Sequence, residues 1–263
     1  MTALAAAARR RSLPGSSNWL RVISVIVVII VWETLGPQAP IFASYPSAIA
    51  VAAYEITVES NRLLPALATT LEGLVVGFVI AAVGGVVIGF AMARVRIIDL
   101  VLDPYVSALY ATPRIALIPL LVLWFGVGFD LRVTVVVLSA IFPIIINVYT
   151  GAKNVDVDYL ETAHAFAASR WQLLRTVVLP GSLPFVFAGL RIGVARSLIG
   201  VTVAEMTAAI TGTGALLIAF GRAFATDRLF VPVLVLGVLS IILGELIHLA
   251  QRRAMPWRRG QLG

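Results

Sequence analysis

The sequence predicts an all-α, polytopic membrane protein with six transmembrane helices and one helical loop on the cytoplasmic side. Three observations carry this. Of the 263 residues, 60% are hydrophobic and only 13% charged, about half the ~25% charged share of a soluble domain; mean hydropathy is +1.00. The apolar residues gather into runs of about 20, each long enough as a helix to cross ~30 Å of hydrocarbon. The basic residues then fall unevenly between the loops those runs define.

Taken in order, the chain opens with MTALAAAARRR, which resembles the n-region of a secretory signal. No small-x-small cleavage site follows Val22–Val31, so an uncleaved first span, Trp19–Leu35, is expected behind a tail of residues 1–18. Pro37–Pro46 and Thr57–Pro65 read as external loop. The second span, Ala66–Ala93, is rich in glycine: Gly73, Gly77, Gly84, Gly85 and Gly89 recur near one face, as close helix packing requires. The third, Leu100–Val127, is interrupted by Pro113 and Pro119, and the fourth is Leu131–Thr150. A polar insert over 156–180 separates it from the fifth, Leu183–Ala204. An external segment, Thr211–Arg228, contains a stretch too short to span, Leu216–Phe224, expected to lie against the bundle as a short helix. The sixth span, Leu229–Ala250, completes a transmembrane domain over 19–250 and leaves a tail of 251–263.

Charge fixes the orientation. With both termini inside, the cytoplasmic side receives Arg9, Arg10, Arg11, Arg21, Arg94, Arg96, Lys153, Arg170, Arg175, Arg252, Arg253, Arg258 and Arg259, thirteen in all. The outside receives four, Arg62, Arg132, Arg222 and Arg228. The net charge of +7 thus belongs beside anionic headgroups rather than nucleic acid. The absence of cysteine excludes disulfides and thiolate metal sites.

The polar insert is the unusual element. Leu160, Ala163, Ala167, Trp171, Leu174 and Val178 recur at helical spacing, with Asp158, Glu161, Gln172 and Arg175 largely off that stripe. Ser169 and Gln172 are spaced as a capping box, which splits the insert into a helix over 157–167 and a second starting at Arg170, closed by Pro180. Two short helices at an angle make a projecting elbow with an apolar tip, shaped to enter a groove on another protein. The alternative is an amphipathic helix lying on the bilayer.

Glu161-Thr162-Ala163, then Ala167, then Val177-Val178-Leu179-Pro180 resemble, at matching spacing, the "EAA" loop of ATP-binding-cassette importer permeases. Thr162 stands for the family's Ala, and Ala167 for its Gly. The segments FASYPSAIAV, DPYVSALYATPRIALIPLLVLWFGVG, IFPIIINVYTGAKNV, LPGSLPFVFAGLR and VAEMTAAITGTGALL extend the resemblance to permeases of the nitrate, sulfonate, taurine and bicarbonate uptake group. Gly73 departs from it, where many members carry a basic residue. The resemblance implies a MetI-like permease fold of the type I importers, in the bacterial inner membrane with both termini cytoplasmic. It implies pairing with a second permease subunit, a copy of itself, and with two nucleotide-binding ATPase subunits and a periplasmic or lipid-anchored substrate-binding protein. Membrane lipid surrounds the assembly, and nucleic acid is no partner. Glu161, Thr162, Ala163, Ala167, Ser169, Trp171, Leu179 and Pro180 would couple the ATPase to the spans. No GxxxxGK[ST] phosphate loop is present, so this chain is expected to bind no cofactor itself, ATP and Mg belonging to the partner subunits.

Four polar residues in the spans are candidates for the translocation path or its gates. Arg114, midway along the third span, either lines the path and favours anions or is satisfied by carbonyls freed at Pro113 and Pro119 or by a helix neighbour. Arg196 lies in the cytoplasmic half of the fifth span beside Arg191, which can snorkel to headgroups. Glu205, at the external mouth, either closes a gate, orients the following Gly-Thr-Gly turn, or joins an interfacial ion pair. Asn147 is expected in a helix–helix hydrogen bond. His164 and His248 lack metal-ligand company, and no catalytic constellation is apparent. Two rival functions stay open: a gradient-driven secondary transporter, for which Glu72 and Glu245 would be the ion-coupling carboxylates, and a membrane enzyme acting on lipids.

Overall fold

A computed structural model describes residues 16–208 and 211–258, all helical or in connecting turns, with no strand among them. Residues 1–15 and 259–263 of the two tails, with Arg9, Arg10, Arg11 and Arg259, lie outside the described residues. In chain order the α-helices are α1 (Ser16–Leu35), α2 (Pro40–Ala43), α3 (Pro46–Tyr54), α4 (Leu63–Arg94), α5 (Arg96–Ala111), α6 (Ile118–Phe125), α7 (Phe129–Lys153), α8 (Val157–Ala165), α9 (Arg170–Leu173), α10 (Leu179–Ala208), α11 (Thr213–Arg222) and α12 (Thr226–Ala254).

The expected loops at 37–46 and 57–65 are partly helical. A 3-10 turn covers Gly36–Gln38, α2 and α3 follow, and a π turn, Glu55–Glu59, precedes α4. Pro40 and Pro46 open α2 and α3, where a missing N–H leaves nothing unpaired. Proline there marks helix starts rather than loop. The short external helix runs over Thr213–Arg222, starting three residues and ending two residues earlier than expected.

Four helices are long and apolar enough to cross a membrane: α4, α7, the continuous Arg170–Ala208 and α12; a bent pair, Arg96–Ala111 with Arg114–Phe125, makes up to five. The apolar helical stretch Val22–Gln38, from α1 through the following 3-10 turn, is shorter, so the described residues give four or five spans rather than six. α1 joins the bundle at one end, where Trp32 Nε1 donates to the carbonyls of Ala43 and Ser44 (both 3.2 Å) and Glu33 accepts from Ser47 N (3.0 Å) and Oγ (2.6 Å).

The core is built on α7, of whose apolar window 61% is buried against 11% for α12. Its ridge Arg132, Val136, Ala140, Ile144, Val148 repeats every four residues, as does the facing row Gly73, Gly77, Ala81, Gly85, Gly89 of α4. The two rows interlock. A Cβ at Gly77 would stand 2.6 Å from Val136 Cγ1, at Gly85 2.8 Å from Ile144 Cγ2, and at Gly89 2.8 Å from Val148 Cβ. On its other flank α7 meets Gly189, Gly193 and Gly200 of α10; a Cβ at Gly200 would lie 2.4 Å from Ser139 Oγ. Small residues bring backbones close enough for dispersion contacts to hold helices together where lipid removes the hydrophobic drive. Gly84 is the exception, with only Ile141 Cδ1 at 3.6 Å.

The third predicted span breaks. α5 stops at Ala111, Thr112 is extended (ψ 133°), and a 3-10 turn over Arg114–Leu117 leads into α6, so the two halves meet at 89°. Pro113 disfavours helical backbone at the residue before it. Pro119 sits in the first turn of α6, where it is harmless.

Candidate functional site

The insert between α7 and α10 folds as two helices on a rigid base. Asp156 caps α8, its side chain accepting from Asp158 N at 3.1 Å. α8 ends in a Schellman motif: Ala168 N donates to Ala163 O (3.1 Å) and Ala167 N to His164 O (2.9 Å), with Ala167 at φ +53°. The bend therefore uses a left-handed residue carrying a Cβ, at a cost of about 1 kcal/mol relative to Gly. Ser169 then starts α9 with a reciprocal capping box, Ser169 N to Gln172 Oε1 at 2.8 Å and Gln172 N to Ser169 Oγ at 3.3 Å.

Pro180 does not close this helix. The chain runs helically from Arg170 to Ala208, passing through a π turn over Leu174–Val178 into the first turn of α10. Leu179 N bonds Leu174 O, five residues back, and this wider turn accommodates a residue without an N–H. The second half of the elbow is thus one rod with a span.

The apolar stripe divides at the bend. Leu160, Leu174, Val177 and Val178 pack with Ala152 and Val155 against Phe90 and Ala93, forming the base. Ala167 and Trp171 face out instead, because the turn at Ala167 rotates α9 away from α8. Trp171 is 67% exposed and Phe166 83%, and Tyr159 is exposed as well. Glu161 and Thr162 are exposed, and Ala163 is half-buried. Behind the elbow lies a cleft of about 500 Å³, lined by Tyr159, Thr162, Ala163, Val177, Pro180 and Trp257 among others. Phe166, Tyr159 and Trp257 were missed in the sequence. Phe166, the residue before the left-handed one, was the findable one.

The four polar span residues do not converge. Arg114 donates from Nη1 to Ser139 O (3.1 Å) and from Nη2 to Tyr110 O (3.0 Å). Both carbonyls lack helical partners: Tyr110 lies in the last turn of α5, and the residue four beyond Ser139 is Pro143. The proline that matters is Pro143 rather than Pro119. The guanidinium also lies over the rings of Tyr110 and Phe142, 5.3 and 5.5 Å from their centroids. Arg196 is exposed on α10, while Arg191 donates to Gln251 Oε1 at 2.9 Å on α12. Asn147 Nδ2 bonds Pro143 O (2.8 Å) within its own helix, not across helices.

Glu205, 2% exposed, is the centre of a polar knot. It accepts from Thr70 Oγ1 (2.9 and 3.0 Å to its two oxygens) and from Gly214 N (3.0 Å); Thr213 N in turn donates to Thr70 Oγ1 at 2.9 Å. Gly212 is at φ +90°, and a Cβ there would sit 2.1 Å from the carboxylate. The side chain thus holds the 212–214 turn onto α4, and no cation lies within 4 Å of it among the described residues. Arg132 is buried rather than in the outer loop, because its aliphatic stem fills the space over Gly73, whose Cβ would come 2.8 Å from Arg132 Cβ. Its Nη1 donates to Thr211 Oγ1 (3.0 Å). Glu72 is exposed, and Glu245 stands 3.7 Å from His248 on α12. Among the described residues no acidic or histidine cluster is placed to hold a metal.

Residues 85–260 match the family described as binding-protein-dependent transport system inner membrane component. The chain is 28% identical over 245 residues to the taurine transport system permease TauC of Escherichia coli, covering 90% of this chain and 89% of that one. It is 30% identical over 238 residues to the riboflavin transport system permease RibX of Chloroflexus aurantiacus (89% and 88% covered). It is 25% identical over 257 residues to the nitrate import permease NrtB of Leptolyngbya laminosa (94% and 89%). A crystal structure of an amino acid ABC transporter with histidines superposes on 72% of this chain and 92% of its own with a TM-score of 0.57 at 18% identity, a likeness of fold.

Proposed function

Because the chain belongs to the binding-protein-dependent transport system inner membrane components and is the permease component of an ATP-binding-cassette importer, we propose that residues 157–178 are the contact through which a separate ATPase drives it. One observation supports this above others: the elbow exposes Phe166 and Trp171 at its bend while its base is buried and its second arm continues unbroken into α10. A force applied at the bend is delivered to a span without an intervening hinge. An amphipathic helix resting on lipid would need no such rigid connection.

In this reading Glu161, Thr162, Ala163, Ala167, Ser169 and Trp171 face the ATPase subunit, and Leu179 and Pro180 join the lever to α10. ATP and Mg bind the partner subunits, and this chain contributes no ATPase site. Two copies pair around a central path, α1 supplies the sixth span, and both termini are cytoplasmic. A substrate-binding protein delivers solute at the outer face, near α11 and the turn held by Glu205. The solute is small and anionic, of the nitrate, sulfonate, taurine or bicarbonate kind. Closure of the ATPase subunits draws the elbows together and reopens the spans outward.

Uptake by the reconstituted assembly tests this. Import that requires ATP on the cytoplasmic side and ignores proton and sodium gradients is expected. Uptake that follows a gradient without ATP would return the protein to the secondary transporters.

A further inference from the structure

We propose that Arg132 and Glu205 form a buried ion pair bridged by a single water molecule, and that this pair clasps the turn leading into α11 onto the ends of α4, α7 and α10. Arg132 is the positioning residue of the clasp, acting on α11 through Thr211 and through Glu205.

The two side chains share neighbours and a cavity. On the turn, Arg132 Nη1 donates to Thr211 Oγ1 at 3.0 Å, and the next residue, Gly212, abuts Glu205, whose carboxylate carbon would stand 2.1 Å from a Cβ there. On α4, Glu205 accepts from Thr70, and Arg132 covers Gly73, less than one turn further along, its Nε 3.3 Å from where a Cβ would be. Arg132 and Glu205 both line a small cavity, together with Val127, Gly128, Ala208 and Thr211 among others. The cavity leaves about 10 Å³ for the centre of a water molecule, close to the room that one water needs. No ion pair within 4 Å joins the two directly, as a bridge through water requires.

Burial and helix polarity both favour the pairing. Glu205 is 2% exposed and Arg132 8%, and an uncompensated charge so deeply buried is costly. Their hydrogen bonds go to uncharged groups. Each also sits at the end of its helix that disfavours it. Arg132 lies in the first turn of α7, at the positive end of the helix dipole, and Glu205 in the last turn of α10, at the negative end. Opposite charges lining one cavity in a medium of low dielectric offset these penalties. Hydrogen-bonding capacity is left over on both sides. The single proton of Thr70 Oγ1 is shared among Ala66 O and both oxygens of Glu205, so the carboxylate can accept a further donor. Of the guanidinium N–H groups of Arg132, only that on Nη1 is engaged among the described residues. Water accepts from a guanidinium and donates to a carboxylate at once; a bound cation would be repelled by the arginine and a bound anion by the glutamate.

The full chain purified in detergent provides the test. Arg132→Met is expected to lower the melting temperature by several degrees beside Glu205, and by less in the Glu205→Gln background, because members of one network couple. Equal losses in the two backgrounds would overturn the pair. Ala208→Val narrows the cavity and tests the water. It is expected to lower the melting temperature of the wild type, where a bridging water is displaced. In the Arg132→Met/Glu205→Gln double variant, where no charge needs the bridge, it should leave the melting temperature unchanged or raise it, as cavity filling does. A higher melting temperature in the wild type, or an equal loss in both, would overturn the bridge. Hydrogen exchange tests the clasp. In Arg132→Met the amides of 213–216 should exchange faster while those of the elbow, 157–173, keep their protection; unchanged protection at 213–216 would overturn it. Should Arg132→Met not be recovered folded, Arg132→Leu takes its place throughout, with the same outcomes deciding.

Discussion

Ala167 holds φ at +53°, where its Cβ crowds the backbone and glycine would not. Ala167→Gly should therefore stabilise the elbow by about 1 kcal/mol, partly offset by the greater freedom of glycine in the unfolded chain. Raised protection of the amides of 157–173 from hydrogen exchange checks this; lowered protection would mean the turn does not strain Ala. Glu205 presents the opposite case, a buried carboxylate whose neighbours all donate. Glu205→Gln directs an amide N–H at one of those donors and should destabilise the protein by about 1–3 kcal/mol, seen as a lower melting temperature in detergent. Sequence reading reached the capping box at Ser169 and Gln172, because both partners lie within one turn. It could not place Arg132, whose partners, Gly73 and Thr211, are brought to it by two other helices.

At the scale of elements, the interlocked rows of α4 and α7 discriminate between glycines that look alike in the sequence. Gly77→Ala would place a Cβ 2.6 Å from Val136 and 2.9 Å from the Val133 carbonyl, and should cost about 1–3 kcal/mol. Gly84→Ala meets only Ile141 Cδ1 at 3.6 Å and should be neutral or slightly stabilising, since Ala favours helix. Comparing their melting temperatures checks the packing; equal losses would refute it. For the elbow, Glu161→Lys or Ala163→Asp should reduce co-purification of the ATPase subunit severalfold with the melting temperature of the spans unchanged. Equal recovery of the partner would count against the assignment. Helix periodicity located α4, α7, α10 and α12 to within a few residues. It failed at 37–46 and at Pro180, where a proline read as a stop sits instead in the first turn of a helix, following a π turn in the second case.

For the molecule as a whole, the distribution of basic residues predicts the orientation in the membrane. The chain contains no cysteine, so single replacements report cleanly. Ser169→Cys, on the elbow, should react with an impermeant maleimide only from the cytoplasmic face, and Ser60→Cys, before α4, only from outside. The reverse pattern would detach the elbow from any cytoplasmic motor. The same topology makes the bundle a lever: α7 is clasped by glycine rows of α4 and α10, and the elbow joins α7 to α10 at one end. Under the proposed coupling, motion at the bend passes into α10, while the knot around Glu205 holds the other end of α10 to α4 and α11.

That this chain is a bundle of apolar helices with a polar, bent insert was legible from local pattern, because hydrophobicity, capping and proline act over a single turn or a single span. Packing between distant helices settled which glycines touch, that the third span bends by 89° between Ala111 and Arg114, and that Arg114 is held by the carbonyls of Tyr110 and Ser139. Those outcomes depend on backbone groups distant in sequence that meet only when helices pack, and no local pattern of side chains encodes which will meet.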